Sequence, residues 1–167
     1  MQVRELNEGE WPLWRKLAIA AVTESPDAFR PTLDENLART DEEWADLIDP
    51  AVRHPRGGLW VADLDNEPVG MVFARIDETY TVTEFGSMWV APIARGSGVG
   101  SALLEAVETR ACEQGTPVLE CRVSQGNDPA LGLYQKYGLI ETDETQLLSD
   151  GSSVTVRKMQ AQLTSRP

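Results

Sequence analysis

Residues 94–112 read ARGSGVGSALLEAVETRAC, and this stretch decides how the rest of the chain is read. Gly96, Gly98 and Gly100 stand at alternate positions directly ahead of a helical pattern in which Val99, Ala102, Leu103, Ala106 and Val107 form one apolar stripe. Glycines spaced in this way let successive backbone N–H groups turn toward one point without interference from Cβ atoms. The helix that follows adds the positive end of its dipole. The combination is a cradle for phosphate or pyrophosphate.

Working outward, TVTEFGSMWV reads as a strand that enters the loop through APIA. Before it, GLWVADL and PVGMVFARI are two β-prone runs joined by DNE, the pattern of a hairpin. The chain opens with a short strand, QVREL, and a helix from about Glu8 to Glu24 that carries Trp11, Trp14, Leu17, Ala18, Ala21 and Val22 at helical spacing. SPDAFRP reads as a break, and Thr40 with Glu43 forms a capping box for a second helix that Pro50 is expected to end. After the glycine loop, VLECRV alternates as a strand. A helix follows around Pro129 to Tyr137, stopped by Gly138, and two strands meet at SDGS. With no repeat, low-complexity tract or linker, residues 1–167 are expected to form one domain. It is an α/β sandwich of the α+β kind with a mostly antiparallel sheet.

Composition narrows the chemistry. A net charge of −12 opposes binding to nucleic acid, whose phosphates would be repelled. No apolar run approaches the roughly 18 residues of a membrane span, and the opening MQVRELNEGEW lacks the order of a signal peptide, so no membrane contact and a cytoplasmic location are expected. Cys112 and Cys121 offer no metal-ligand spacing and His54 is the only histidine, so neither a metal site nor a Ser-His-Asp triad is expected. Most of the acidic excess lies before Arg95, which leaves the half that carries the loop nearly neutral.

The cradle has three claimants. A nucleoside-triphosphate P-loop needs Lys and then Ser or Thr after its last glycine, and the chain's lysines are Lys16, Lys136 and Lys158. A dinucleotide fingerprint could use Gly96, Gly98 and Ser101, with Glu120 in the next strand, but APIAR separates the loop from its strand. Too little chain follows Glu120 for a second nucleotide-binding half.

The third claimant is coenzyme A. Arg95-x-x-Gly98-x-Gly100 resembles the acyl-CoA signature of the GCN5-related N-acetyltransferases, the GNAT family. MWVAPIARGSGVGSALL is similar to that family's strand, loop and helix. NDPALGLYQKYGL resembles its second signature, with Asn127, Ala130, Tyr134 and Gly138 in register; Leu139 departs from it, since Phe commonly follows the glycine. The resemblance covers nearly the whole chain. It implies a mixed, mostly antiparallel sheet of six to seven strands flanked by about four helices, and transfer of acetyl from acetyl-CoA to a primary amine by direct attack.

The resemblance also implies the site. The pyrophosphate of coenzyme A would rest on the amides of Arg95, Gly96, Ser97, Gly98, Val99, Gly100 and Ser101. The pantetheine arm would run between FGSMWV and VLECRV, paired with backbone groups of Met88, Trp89 and Val90, one of which would face the thioester carbonyl. Tyr134 falls at the family's tyrosine acid, a phenol of pKa near 10 able to protonate a departing thiolate, with Tyr137 as the packing neighbour. Glu84 falls where some members carry a strand glutamate as base; its alternative is an ordinary strand carboxylate, and Glu120 is a weaker candidate. Cys121 has no predicted histidine partner and reads as a small buried residue. The acidic N-terminal helices point to a cationic acceptor, and a homodimer is a further expectation. A non-catalytic acyl-CoA sensor and a dinucleotide-dependent oxidoreductase are the competing functions.

Overall fold

The structure is a computed structural model that describes residues 1–163; residues 164–167 of the expected domain lie outside the described residues. The chain runs β1 (Gln2–Glu5), α1 (Trp11–Glu24), α2 (Leu33–Ala38), α3 (Asp41–Arg53), β2 (Gly57–Leu64), β3 (Glu67–Ile76), β4 (Val82–Val90), α4 (Val99–Glu113), β5 (Val118–Ser124), α5 (Asp128–Lys136), β6 (Ile140–Leu147) and β7 (Thr155–Gln162). The strands form a seven-stranded sheet in the order β1-β2-β3-β4-β5-β7-β6. Every neighbouring pair is antiparallel except β4 and β5, which α4 joins as a parallel crossover.

The sheet is covered on both faces. On one, Val99, Leu103, Leu104 and Val107 of α4 are fully buried against Val72, Phe85 and Leu119 from the strands, and Tyr134 of α5 joins them. On the other, Trp14 and Leu17 of α1 and Trp44 and Ile48 of α3 pack on Leu59, Val61, Met71 and Trp89. Each aliphatic side chain so buried contributes about 1.5–3 kcal/mol.

Local signals explain most boundaries. The Asp65–Asn66 turn between β2 and β3 has positive φ at both residues, 51° and 65°, as a type I′ hairpin requires. The Thr40–Glu43 capping box is present in both directions. Two expectations need correction. The α1 helix starts at Trp11 rather than near Glu8, because Gly9 is left-handed (φ 84°) and Glu10 folds back to accept from the Asn7 amide at 2.7 Å. Pro50 does not end α3, which continues to Arg53; Ala51 and Val52 beyond it still pack against the core, and that burial outweighs the lost N–H. The described residues hold five α-helices, in keeping with the fold expected; the one the sequence reading did not place, α2, opens with a second capping box, Thr32 and Glu35.

Candidate functional site

The parallel ladder between β4 and β5 holds only from Val82 opposite Val118 to Glu84 opposite Glu120. Past that pair β5 stays on β7 as far as Ser124 and β4 stays on β3 as far as Val90, so the two strands fork. The backbone groups on the facing edges of β4 and β5 therefore have no strand partner beyond the fork. A bulge sharpens it. The β3 register moves from Phe73 opposite Gly86 to Met71 opposite Trp89, which leaves β4 one extra residue, and Ser87 there takes φ 48°. Because of that extra residue, Phe85 and then Met88 and Val90 face α4 and α5, while Trp89 turns to the α1 and α3 side.

The glycine loop stands at the open end of the fork. Gly96 (φ 79°) and Gly98 (φ 90°) adopt backbone conformations that L side chains rarely take, and a Cβ at either would meet open space. The requirement for glycine there is conformational. At Gly100 a Cβ would stand 2.9 Å from Leu133 Cδ2 of α5, so the end of that side chain would have to move aside to admit one. Gly98 begins α4 with no side-chain cap, and the first amide of the helix to find an acceptor is Ala102, which donates to the Gly98 carbonyl at 3.0 Å. The amides from Gly96 to Ser101 have no acceptor among the described residues, which leaves a row of donors at a positive helix end. They border a cleft of about 750 Å³ lined also by Met88, Trp89, Val90, Arg95, Asn127, Ala130 and Tyr134. Of the residues expected to hold the pyrophosphate, Ser97 and Val99 do not line it. The Ser97 hydroxyl donates to the Ala94 carbonyl, and the Val99 side chain is buried in the core.

Tyr134 sits where the cleft runs into the fork. Asn127 caps α5, accepting from the Ala130 amide at 3.4 Å, and so fixes the helix that carries it. The Tyr134 ring meets Phe85 edge-on, with centroids 5.3 Å apart at 81°. Its hydroxyl has no hydrogen-bond partner among the described residues, and burial raises the phenol pKa well above its usual 10. Tyr137, by contrast, donates from its hydroxyl to the Ser101 carbonyl at 2.8 Å and ties α5 to the start of α4. Cys121 is buried beside the fork, and burial raises its thiol pKa likewise. A cysteine so held stays protonated.

The sequence profile of the Acetyltransferase (GNAT) family matches residues 7–139. The chain belongs to the GNAT acetyltransferase family. Solved structures agree on the fold. The ribosomal-protein-alanine N-acetyltransferase of Brucella melitensis is 24% identical over 98% of this chain and 100% of its own, with a TM-score of 0.77. An acetyltransferase of the GNAT family from Streptococcus pneumoniae is 19% identical over 98% and 99%, with a TM-score of 0.79. Salmonella typhimurium yncA, solved with its cofactor acetyl-CoA, is 20% identical over 100% and 96%, with a TM-score of 0.78.

Within this GNAT fold the two residues expected to share the chemistry are not brought together. Glu84 lies at the root of the fork, clamped between Arg75 (2.7 Å) on β3 and Arg122 (2.6 Å) on β5. It borders neither the Tyr134 cleft nor the fork cavity. The base role expected of Glu84 therefore finds no support in this geometry; its two guanidinium partners suit it to hold the strands where they part.

Three residues of the site carried no motif. Glu24, at the end of α1, accepts from the Arg95 guanidinium at 2.7 Å and from the Trp89 indole N–H at 3.2 Å. The bond from Arg95, then those from Ser25 and Trp89, lower its pKa from the usual 4.5 to about 2. Phe29 and Ser87 both border the fork cavity and also a second cavity of about 450 Å³ under α1, α2 and α3. Phe29 additionally lines the large cleft, so these two residues stand where the three spaces meet. Only the bulge and the α1–α2 loop, both tertiary features, could have revealed them.

Proposed function

We propose that this protein transfers the acetyl group of acetyl-CoA to a primary amine by direct attack within a ternary complex. The observation that carries the proposal is the row of acceptorless amides from Gly96 to Ser101, opening onto a cleft that runs into a forked parallel strand pair with a protonated phenol beside it. The amides and Arg95 suit a pyrophosphate, and the facing edges of the fork suit the amides of a pantetheine arm. When bound, acetyl-CoA supplies the thioester. On this chain, β4 amides of the Met88–Val90 segment donate to the carbonyl oxygen as negative charge develops there. The amine nitrogen attacks the carbonyl carbon from the side of Phe29 and Ser87, a C–N bond forms, and the C–S bond breaks. Tyr134 gives its hydroxyl proton to the departing sulfur and recovers one from solvent. With Glu84 clamped elsewhere, the amine loses its proton to water before or during attack.

Binding of acetyl-CoA to Salmonella typhimurium yncA, which shares the fold over the whole of this chain, supports the same co-substrate here. Free thiol should appear from acetyl-CoA only when a primary amine is present, and acetyl-CoA, but not NAD, should raise the melting temperature. Coenzyme binding without turnover on any amine would favour a sensor instead.

A further inference from the structure

The 450 Å³ cavity under α1, α2 and α3 has walls of unusual chemistry for so acidic a protein. Its floor and sides are apolar, with Trp14, Trp44, Leu59, Met71 and Phe73 among them, and no aspartate or glutamate lines it. Its charged wall residues are arginines. Arg30, Arg39 and Arg56 border it half-buried, and among the described residues they are the arginines that reach no carboxylate within 4.0 Å. Every other described arginine has such a partner. Arg39 stacks over the Trp44 ring at 5.2 Å, Arg56 over Tyr80 at 6.0 Å, and Arg30 donates to carbonyls and hydroxyls. Glu35 stands nearby, but its carboxylate accepts from the Thr32 amide and hydroxyl of the capping box.

A second observation points to a ligand. The indole N–H of Trp44 is the sole buried side-chain polar atom among the described residues with no hydrogen-bond partner, and Trp44 lines this cavity. A buried donor without an acceptor costs about 1–3 kcal/mol. The nitrogen is closed off as it stands, and a small displacement of the ring would let an oxygen of a bound molecule reach it. Guanidinium groups with no carboxylate within 4.0 Å ask for the same thing, an anionic oxygen.

We propose that this cavity holds the acceptor, and that the acceptor is a primary amine with an apolar carbon skeleton and a carboxylate. The skeleton fills the aromatic and aliphatic pocket, the carboxylate meets Arg39, Arg56 and the Trp44 N–H, and the amine reaches the fork past Phe29 and Ser87. The proposal rests on the acetyl-transfer function above. It differs from the cationic acceptor expected from the acidic helices, because the lining of the cavity those helices cover holds arginines and no carboxylate.

The test compares matched amines in the thiol-release assay: L-phenylalanine against 2-phenylethylamine, 6-aminohexanoate against hexylamine, and spermidine as the polycation. In at least one pair the carboxylate member should have kcat/KM about tenfold or more above its partner, and above spermidine. That preference should shrink about tenfold in the Arg39→Gln/Arg56→Gln protein, and in Trp44→Phe, which keeps the ring under Arg39. Equal or better turnover of the amines without a carboxylate overturns the proposal and leaves acetyl transfer standing. If acetyl-CoA binds but no amine is acetylated, the transfer function fails instead. Calorimetric binding of the same amines to the CoA-saturated protein then decides the cavity: tighter binding of a carboxylate member, lost in the arginine variant, supports it, and no such preference overturns it.

Discussion

Tyr134→Phe separates the catalytic from the structural work of the tyrosine. Phenylalanine keeps the ring against Phe85 and removes a hydroxyl on the cleft wall that bonds to no other described residue. No packing and no hydrogen bond within the described residues is lost, so at about 2–4 °C per kcal/mol for a chain of this size the melting temperature should stay within about 2 °C of the parent. Activity should fall. Loss of a positioned proton donor lowers kcat by about 10²–10⁴-fold, the equivalent of roughly 3–5 kcal/mol in the barrier. The pH profile adds a second readout. Burial raises the phenol pKa, so the protonated form is the one that folding favours; that contribution is complete below the unfolded value near 10 and is lost as pH rises past it. The parent enzyme should accordingly show no falling limb below about pH 10. The assay is thiol release from acetyl-CoA with a saturating amine, paired with calorimetry for coenzyme affinity. A Tyr134→Phe protein with parental coenzyme affinity and kcat within about threefold of the parent would refute the assignment.

Other consequences are smaller and separable. Glu24→Gln removes a negative charge from the mouth of the coenzyme cleft and frees Arg95, so CoA should bind about two- to fivefold tighter by calorimetry; tenfold weaker binding would show that Glu24 positions Arg95 rather than occupying it. Because the Glu24 pKa is lowered to about 2, its contribution to stability is present above pH 4.5 and lost as pH falls toward 2, and urea titrations at pH 6, 4 and 3 should show the loss only in the acid range. Gly98→Ala forces a side chain into φ 90°, which costs about 1–2 kcal/mol, so a fall of roughly 2–8 °C in melting temperature together with weaker CoA binding is expected. Glu84→Gln should lower kcat less than about threefold, and the rising limb of kcat/KM should follow the pKa of whichever amine is used; a limb fixed near one pH for all amines would restore a protein base.

Much of this fold was legible because its signals are local. The glycines at 96, 98 and 100, the apolar stripe of α4, the Asp65–Asn66 turn and the Thr40–Glu43 capping box each act over a few residues, and each is found where the pattern placed it. The α2 helix carries the same capping signal at Thr32 and Glu35, but it follows directly on the break that ends at Pro31 and runs for only six residues. Pro50 failed as a stop signal because Ala51 and Val52 after it pack against the core, and packing is not a local property. Glu84 shows the same limit at the site. Its strand position was readable, but the arginines that clamp it come from β3 and β5, and no spacing along one strand announces them.

The sequence by itself determined the glycine loop ahead of α4, the order of every element except α2, and the place of Tyr134 on α5, since these depend on backbone conformation and on side-chain periodicity within single elements. Only the tertiary structure decided where β4 and β5 part, where Ser87 is inserted, and which charges face the cavity under α1, α2 and α3. Net charge is a sum over the chain, whereas a ligand meets the few groups that folding gathers around it. In a protein of charge −12, three arginines without carboxylate partners converge on one apolar cavity. That juxtaposition joins the α1–α2 loop, the end of α2 and the start of β2, which are distant in sequence and become neighbours only through packing on the sheet.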